Sequence, residues 1–324
     1  MKSLLLVSCI ASASLLVGCG SGEGTGGDDD VTVDGSVTPQ PDGGQVVVPQ
    51  GEKITLSAST ANIPAGAEEE WCEVVELPNT DAIKVHHIKL SIDEGVSHHA
   101  IVQLITPGSL WAQATVGQKF KGGGCSIPGS AVPILIGTQK PVIEFQFPDD
   151  VYYPVGAKQR LLFNYHYINL NSTAQPVNMK LELWHNDVAR NVKAGSLFYN
   201  WTDFPAIGAG EMKTARKDCA PFAAAQTVMT LNGHTHKLGM RFEGFKVHGG
   251  VDEKVYDNTD WDNPKYQIYT PPLQLAAGDS LSFSCTWMNT TGSPVSFGVM
   301  AKDEMCILGG YIYPTDRLTV ECGR

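Results

Sequence analysis

The feature that most limits how this chain can fold is the length and spacing of its apolar runs. From about Val46 onward they are short, alternating or continuous, and each ends at Gly, Pro, Asn or Asp; Val142–Phe147, Arg160–Ile168, Met179–Trp184 and Leu281–Trp287 are examples. Runs of that length between turn residues read as strands. No stretch carries a sustained apolar stripe at helical spacing between caps, so helices are expected to be short and few. The 34 Gly and 19 Pro, with only 18% charged residues, agree with turn-rich β structure. Many short strands must cover their apolar faces with one another, so the expected class is all-β, built as sandwiches. The 324 residues suit two domains, at roughly 100–200 residues each. The boundary is expected near Asn186–Val192, giving domains over residues 46–188 and 189–324.

The first 45 residues read differently. Lys2 precedes an apolar run through Leu16, and Leu16-Val17-Gly18-Cys19 looks like the lipobox of a bacterial lipoprotein signal. Residues 1–18 are then the signal peptide and Cys19 the lipidated first residue of the exported chain. Several acyl chains on one cysteine anchor stably where a single chain does not, so membrane contact is expected through the lipid anchor only. Gly20 is not a retention aspartate, which favours the outer membrane and leaves its two faces open. Residues 20–45, with Asp28-Asp29-Asp30, have almost nothing to bury and read as a solvated tether.

The formal charge is −11, and no basic stripe interrupts the acidic balance, so no nucleic-acid partner is expected. Eight cysteines occur. With Cys9 lost in the signal and Cys19 lipidated, Cys72, Cys125, Cys219, Cys285, Cys306 and Cys322 remain. An even number in an exported protein suggests three disulfides, and the roughly 15 possible pairings stay open on spacing alone. No CxxC pair supports a zinc ribbon.

The chemistry is concentrated in histidines and one methionine: His98-His99, His166, His234-Thr235-His236, and Met305 within Asp303-Glu304-Met305-Cys306. Imidazole suits copper, zinc and iron, whereas a thioether is soft and selects copper, above all Cu(I). His234 and His236, two apart on a strand, leave the same face and can close on one ion. His98 and His99 leave opposite faces, so sharing a metal requires a bulge or a strand end there. His86 and His87 are equally metal-like in type but read as structural or as supports for ligands. His185 and His248 stand in no motif and read as surface residues.

Trp71-Cys72, Glu76-Leu77-Pro78, His86-His87-Ile88 and His98-His99 resemble the copper type II, ascorbate-dependent monooxygenases, the family of dopamine β-monooxygenase and peptidylglycine α-hydroxylating monooxygenase. The resemblance returns in order at Tyr165-His166, His234-Thr235-His236 with Leu238-Gly239, and Glu304-Met305-Cys306 with Tyr313-Pro314. It implies two tandem antiparallel jelly-roll β-sandwich domains, each with one copper, facing one another across a solvent-filled cleft. His98, His99 and His166 would hold the electron-donating copper, and His234, His236 and Met305 the catalytic, oxygen-activating one. The family's bridges imply Cys72–Cys125, Cys219–Cys322 and Cys285–Cys306. The implied activity is hydroxylation of a C–H bond of a small organic substrate, with O2 and with ascorbate or another one-electron reductant.

The substrate side departs from the family. Where peptidylglycine hydroxylases carry a carboxylate-binding arginine two residues before His-x-His, this chain has Asn232, which argues against a peptide carboxylate. After Met305-Cys306 come Ile307, Leu308, Gly309 and Gly310, a smaller and more apolar wall. The alternative of a different class is a copper-binding lipoprotein that stores or delivers metal without hydroxylation. A zinc hydrolase would need a general base beside an open zinc, and no His-Glu-x-x-His is present.

Overall fold

The computed structural model describes residues 50–93, 97–122 and 133–322, apart from the side chains of residues 61, 97 and 98. The signal, Cys19, the tether, Cys125 and the side chain of His98 therefore lie outside the described residues. Every regular element among them is a strand, and no helix there is long and apolar enough to cross a membrane.

The first eleven strands are β1 (Glu52–Ile63), β2 (Glu68–Glu76), β3 (Ile83–Ile92), β4 (Ser97–Leu104), β5 (Lys119–Lys121), β6 (Ile134–Thr138), β7 (Val142–Gln146), β8 (Val151–Val155), β9 (Arg160–Ile168), β10 (Gln175–His185) and β11 (Val192–Lys193). They form two sheets, one ordered β1-β10-β3-β8-β11 with β7 on β3, the other β5-β2-β9-β4-β6. The remaining strands are β12 (Gly195–Asn200), β13 (Met212–Asp218), β14 (Gln226–His234), β15 (Gly239–His248), β16 (Val251–Asn258), β17 (Tyr266–Leu275), β18 (Ser280–Met288), β19 (Ile307–Tyr313) and β20 (Thr319–Val320). These also make two sheets, β17-β14-β19-β12-β20 and β13-β18-β15-β16. Pairing is antiparallel except at β8–β11 and β12–β20.

Each pair of sheets encloses its own core. Leu90 and Leu181 from one sheet meet Val102 and Phe163 from the other in the first core, and Leu231 and Leu308 meet Phe242 and Phe283 in the second. The expected runs lie within strands: Arg160–Ile168 is β9, Val142–Phe147 overlaps β7, and the other two fall inside β10 and β18.

Strand β9 shows how alternation builds the site. Leu161, Phe163, Tyr165 and Tyr167 face the first core, all at most 1% exposed. Leu162, Asn164 and His166 point to the opposite face, yet are also at most 1% exposed. That second face is covered in part by Cys72, Val74, Ala114 and Trp111. A strand buried on both sides reads as a nearly continuous apolar run, which leaves Asn164 and His166 as the polar exceptions.

The two sheet pairs meet through aromatic side chains. Tyr311 of β19 is counted in the first core, with its ring 4.7 Å from Phe145 and 5.4 Å from Phe147. Its hydroxyl donates to the carbonyl of Leu135. Tyr153 bridges in the other direction, with its hydroxyl 3.1 Å from both Ile134 O and Leu318 O, either of which can accept its one proton. Domains hinge by default unless their interface is large and apolar, and aromatic rings make up part of this one.

Candidate metal centre

The first three-histidine set sits where β4 crosses β9. His99 pairs directly with His166, and the register shifts between Ser97 and His99, so the backbone irregularity falls at His98. That is the break in alternation that adjacent histidines need in order to serve one ion. The His99 and His166 rings lie 4.9 Å apart at 70°. His166 Nε2 is 2.8 Å from Glu68 Oε1, which also accepts from the backbone N–H of Ala301 at 3.1 Å. Burial pulls the His166 pKa below its usual value, against the upward pull of Glu68. A neutral imidazole is the form that ligates a metal.

The second set lies at the end of β14 and in the segment before β19. His234 is the last residue of β14 and His236 lies beyond it, so the two are not both strand residues as their spacing suggested. They remain neighbours, with ring centroids 5.2 Å apart. Gly233 between Asn232 and His234 is required by packing: a Cβ there would stand 2.4 Å from the Phe242 ring. The chain can thus press against the second core on one face while Asn232 and His234 take the other.

Glu304 organises the rest. It is fully buried, with Oε1 accepting from Leu238 N at 2.8 Å and Oε2 accepting from His236 N at 3.0 Å and from Met305 N at 3.3 Å. One carboxylate therefore ties the backbone under His236 to the backbone under Met305. Burial pushes its pKa up to about 7, opposed by those same N–H donors. His236 Nδ1 lies 3.0 Å from Asp303 O, and His234 Nδ1 lies 2.7 Å from Gln139 Oε1. Holding Nδ1 on an oxygen fixes the ring so that Nε2 is the nitrogen presented to a metal. Burial also lowers the His236 pKa. Met305 is 6% exposed, and Cys306 beside it is bonded to Cys285.

The two sets adjoin. The His99 and His234 rings are in edge contact, with centroids 5.5 Å apart. Among the described residues no group of three or more His, Cys, Asp or Glu side chains is arranged to hold a metal ion. Each expected set has one member outside that grouping: His98, whose side chain is outside the described residues, and Met305, a thioether. The donor chemistry of His234, His236 and Met305, with both rings oriented and a soft sulfur on a pinned backbone, fits copper.

Cys219–Cys322 and Cys285–Cys306 form as the resemblance implied. Cys72 is disulfide-bonded, and its expected partner Cys125 is outside the described residues. His87 lies apart from these sets, 2.8 Å from Glu144 and edge-on to Trp184. His248 is exposed on Asp279, and His185 is half-buried in β10, near the exposed Glu52. Glu68, Gln139 and Glu304 were missed as functional residues. Only Glu304 carried a local signal, as the neighbour of Met305.

No curated protein matches the chain. Solved structures that resemble it do so weakly. The STIV MCP has a TM-score of 0.36 at 10% identity, covering 81% of this chain and 97% of that one. The PBSX exported protein XepA has a TM-score of 0.21 at 10% identity over 79% and 86%. Allantoicase has a TM-score of 0.18 at 9% identity over 76% and 83%. Residues 211–322, the stretch that contains His234, His236 and Met305, match the family described as copper type II ascorbate-dependent monooxygenase, C-terminal domain.

Proposed function

We propose that the chain is a copper-dependent monooxygenase that hydroxylates a C–H bond of a small organic substrate with O2 and with ascorbate or another one-electron reductant. The observation that carries this reading is the Glu304 clamp within the family-matched stretch: His236 and Met305, far apart in sequence, hang from one buried carboxylate. The reading takes two coppers per chain, one on His98, His99 and His166 and one on His234, His236 and Met305. Bound there, copper supplies one-electron redox chemistry and an open coordination position for O2.

The residues of this chain have definable tasks in that chemistry. Glu68, Gln139 and the carbonyl of Asp303 hold three imidazoles in fixed orientations. Met305 favours the reduced metal because a thioether is a soft ligand. The ring contact between His99 and His234 gives electrons a short route between the two sets. The Cys19 pattern supports an exported, lipid-anchored placement on the outer membrane.

The test is metal content and copper K-edge spectroscopy, before and after ascorbate reduction. Two coppers per chain, with a sulfur scatterer on the reduced metal that vanishes in Met305→Ile, is the expected result. A protein that binds copper yet shows no ascorbate-dependent O2 uptake with any substrate would be a carrier of copper instead.

A further inference from the structure

Between the two sheet pairs lies a cavity of ≈ 130 Å³. Its walls include Ile101, Leu135 and Ile136 from one side and Leu197, Ile307 and Tyr311 from the other. His99, His234 and Met305 belong to the same lining, so whatever fills the cavity touches both candidate ligand sets. Apolar cavities of about 150 Å³ hold a benzene-sized guest, so the volume suits one six-membered ring and little more.

We propose that this cavity binds a small, uncharged, ring-sized molecule that carries a hydroxyl, an alcohol or a phenol, with the hydroxyl donating to Gln103 Oε1. Gln103 follows His99 and Ile101 by steps of two along β4, so the three share one face of the strand. Its Oε1 is buried and has no hydrogen-bond partner among the described residues, although the residue is only 5% exposed. A buried acceptor left bare costs about 1–3 kcal/mol, and a guest with an O–H donor would remove that cost.

Several other polar groups in the lining have work elsewhere. Thr138 and Ser196 donate to the carbonyls of Lys140 and Leu318. Gln139 is shared between His234 and Trp261 O. Glu70 Oε1 accepts from Asn164 at 2.8 Å, and its Oε2 is a second buried acceptor with no hydrogen-bond partner among the described residues. No arginine lines the cavity among the described residues; its one lysine is Lys140 and its one acid is Glu70, whose pKa burial pushes up to about 7. The rest of the lining is largely apolar, which favours an uncharged guest. Asn232 lies over Gly309, where a Cβ would come within 2.8 Å of its Oδ1. An uncharged amide therefore borders the cavity there.

The role of the bound molecule as substrate rests on the monooxygenase reading, but its binding does not. The experiment is equilibrium binding of phenol, toluene, benzoate and benzylamine to the full chain, under nitrogen, with and without copper. Phenol and toluene differ by little more than the hydroxyl. Phenol is expected to bind about fivefold to tenfold tighter than toluene, as one hydrogen bond gives, and benzoate and benzylamine to bind least. Gln103→Leu should bring phenol down to toluene, and Ile101→Trp should exclude both. Tighter binding of benzoate or benzylamine, equal binding of phenol and toluene, or a phenol affinity unmoved in Gln103→Leu overturns the proposal. Phenol binding without copper-dependent hydroxylation would instead count against the monooxygenase reading alone. Turnover of charged substrates with no phenol binding would sink the pocket assignment and leave the monooxygenase standing.

Discussion

Gln139 of the first sheet pair holds His234 of the second, with Oε1 2.7 Å from Nδ1. Its Nε2 donates to Trp261 O at 3.1 Å, so both ends of the amide are anchored in the other half of the molecule. Residues that orient a ligand histidine typically matter by about 10–100-fold in metal affinity. Gln139→Leu is therefore expected to weaken copper at the His234 set by that order. Thermal unfolding should change little, because the first core does not include the residue. Copper titration of the variant checks this, and an unchanged affinity would show that the His234 ring is fixed by other contacts.

Met305 is the soft donor. Met305→Ile keeps a side chain of similar volume in a site that is 6% exposed, and volume-conserving swaps usually cost less than about 1.5 kcal/mol. The fold should survive while ascorbate-dependent turnover is lost and the sulfur signal leaves the K-edge spectrum of the reduced protein. Full turnover in this variant would remove Met305 from the oxygen site.

Glu304 accepts three backbone N–H bonds with two oxygens. Glu304→Gln replaces one acceptor by a donor, which turns at least one of those N–H groups toward another donor. Leaving a buried group unsatisfied costs about 1–3 kcal/mol. A fall in stability of that size is expected, together with looser copper at the His236 and Met305 set. Calorimetry and copper titration read the two effects separately, and a stability loss without a change in copper affinity would reduce Glu304 to a structural clamp.

What the sequence revealed, and what it hid, follow one rule. Strand positions and the ligand types were legible because alternation, turn residues and donor chemistry are local; β9 was read to its last residue. The break at His98 was stated as a requirement and appears as a register shift between Ser97 and His99. The contact between His99 and His234 was not legible, because it joins residues from different halves and depends on how Tyr311 docks among Phe145, Phe147 and Tyr153. Glu68 and Gln139 were hidden for the same reason, since polar residues on strands give no sign of which histidine they will meet. His236 was assigned to a strand because a spacing of two cannot say where the strand ends.

Glu144 provides a pH test away from the candidate metal sets. Its hydrogen bond to His87, with help from Lys89, holds its carboxyl down to about 2, against the opposing effect of burial. A carboxyl depressed in the folded state stabilises above its unfolded value near 4.5, and that stability fades as pH falls through about 2. Because a third of the side chain is wet, the contribution is about 1 kcal/mol rather than the full shift. Glu144→Gln should therefore lower stability at pH 7 and converge with the parent near pH 2. Parallel stability curves for the two proteins across that range would contradict the assignment.

The two bridges in the second half should separate stability from metal binding. Cys219–Cys322 spans 103 residues and Cys285–Cys306 spans 21. In the chain-entropy account, a loop of about 100 residues contributes about 4.7 kcal/mol and one of about 15 residues about 3. Replacing Cys219 and Cys322 with alanine should therefore depress the unfolding temperature more than replacing Cys285 and Cys306. Copper binding should follow the opposite order, because Cys306 adjoins Met305 and its partner Cys285 lies on β18 in the second core, whereas Cys219–Cys322 ties the chain near its end. Unfolding temperature and copper affinity measured on both double variants decide the matter. If the Cys285–Cys306 variant kept parental copper affinity, the Glu304 carboxylate alone would be sufficient to hold Met305 in place.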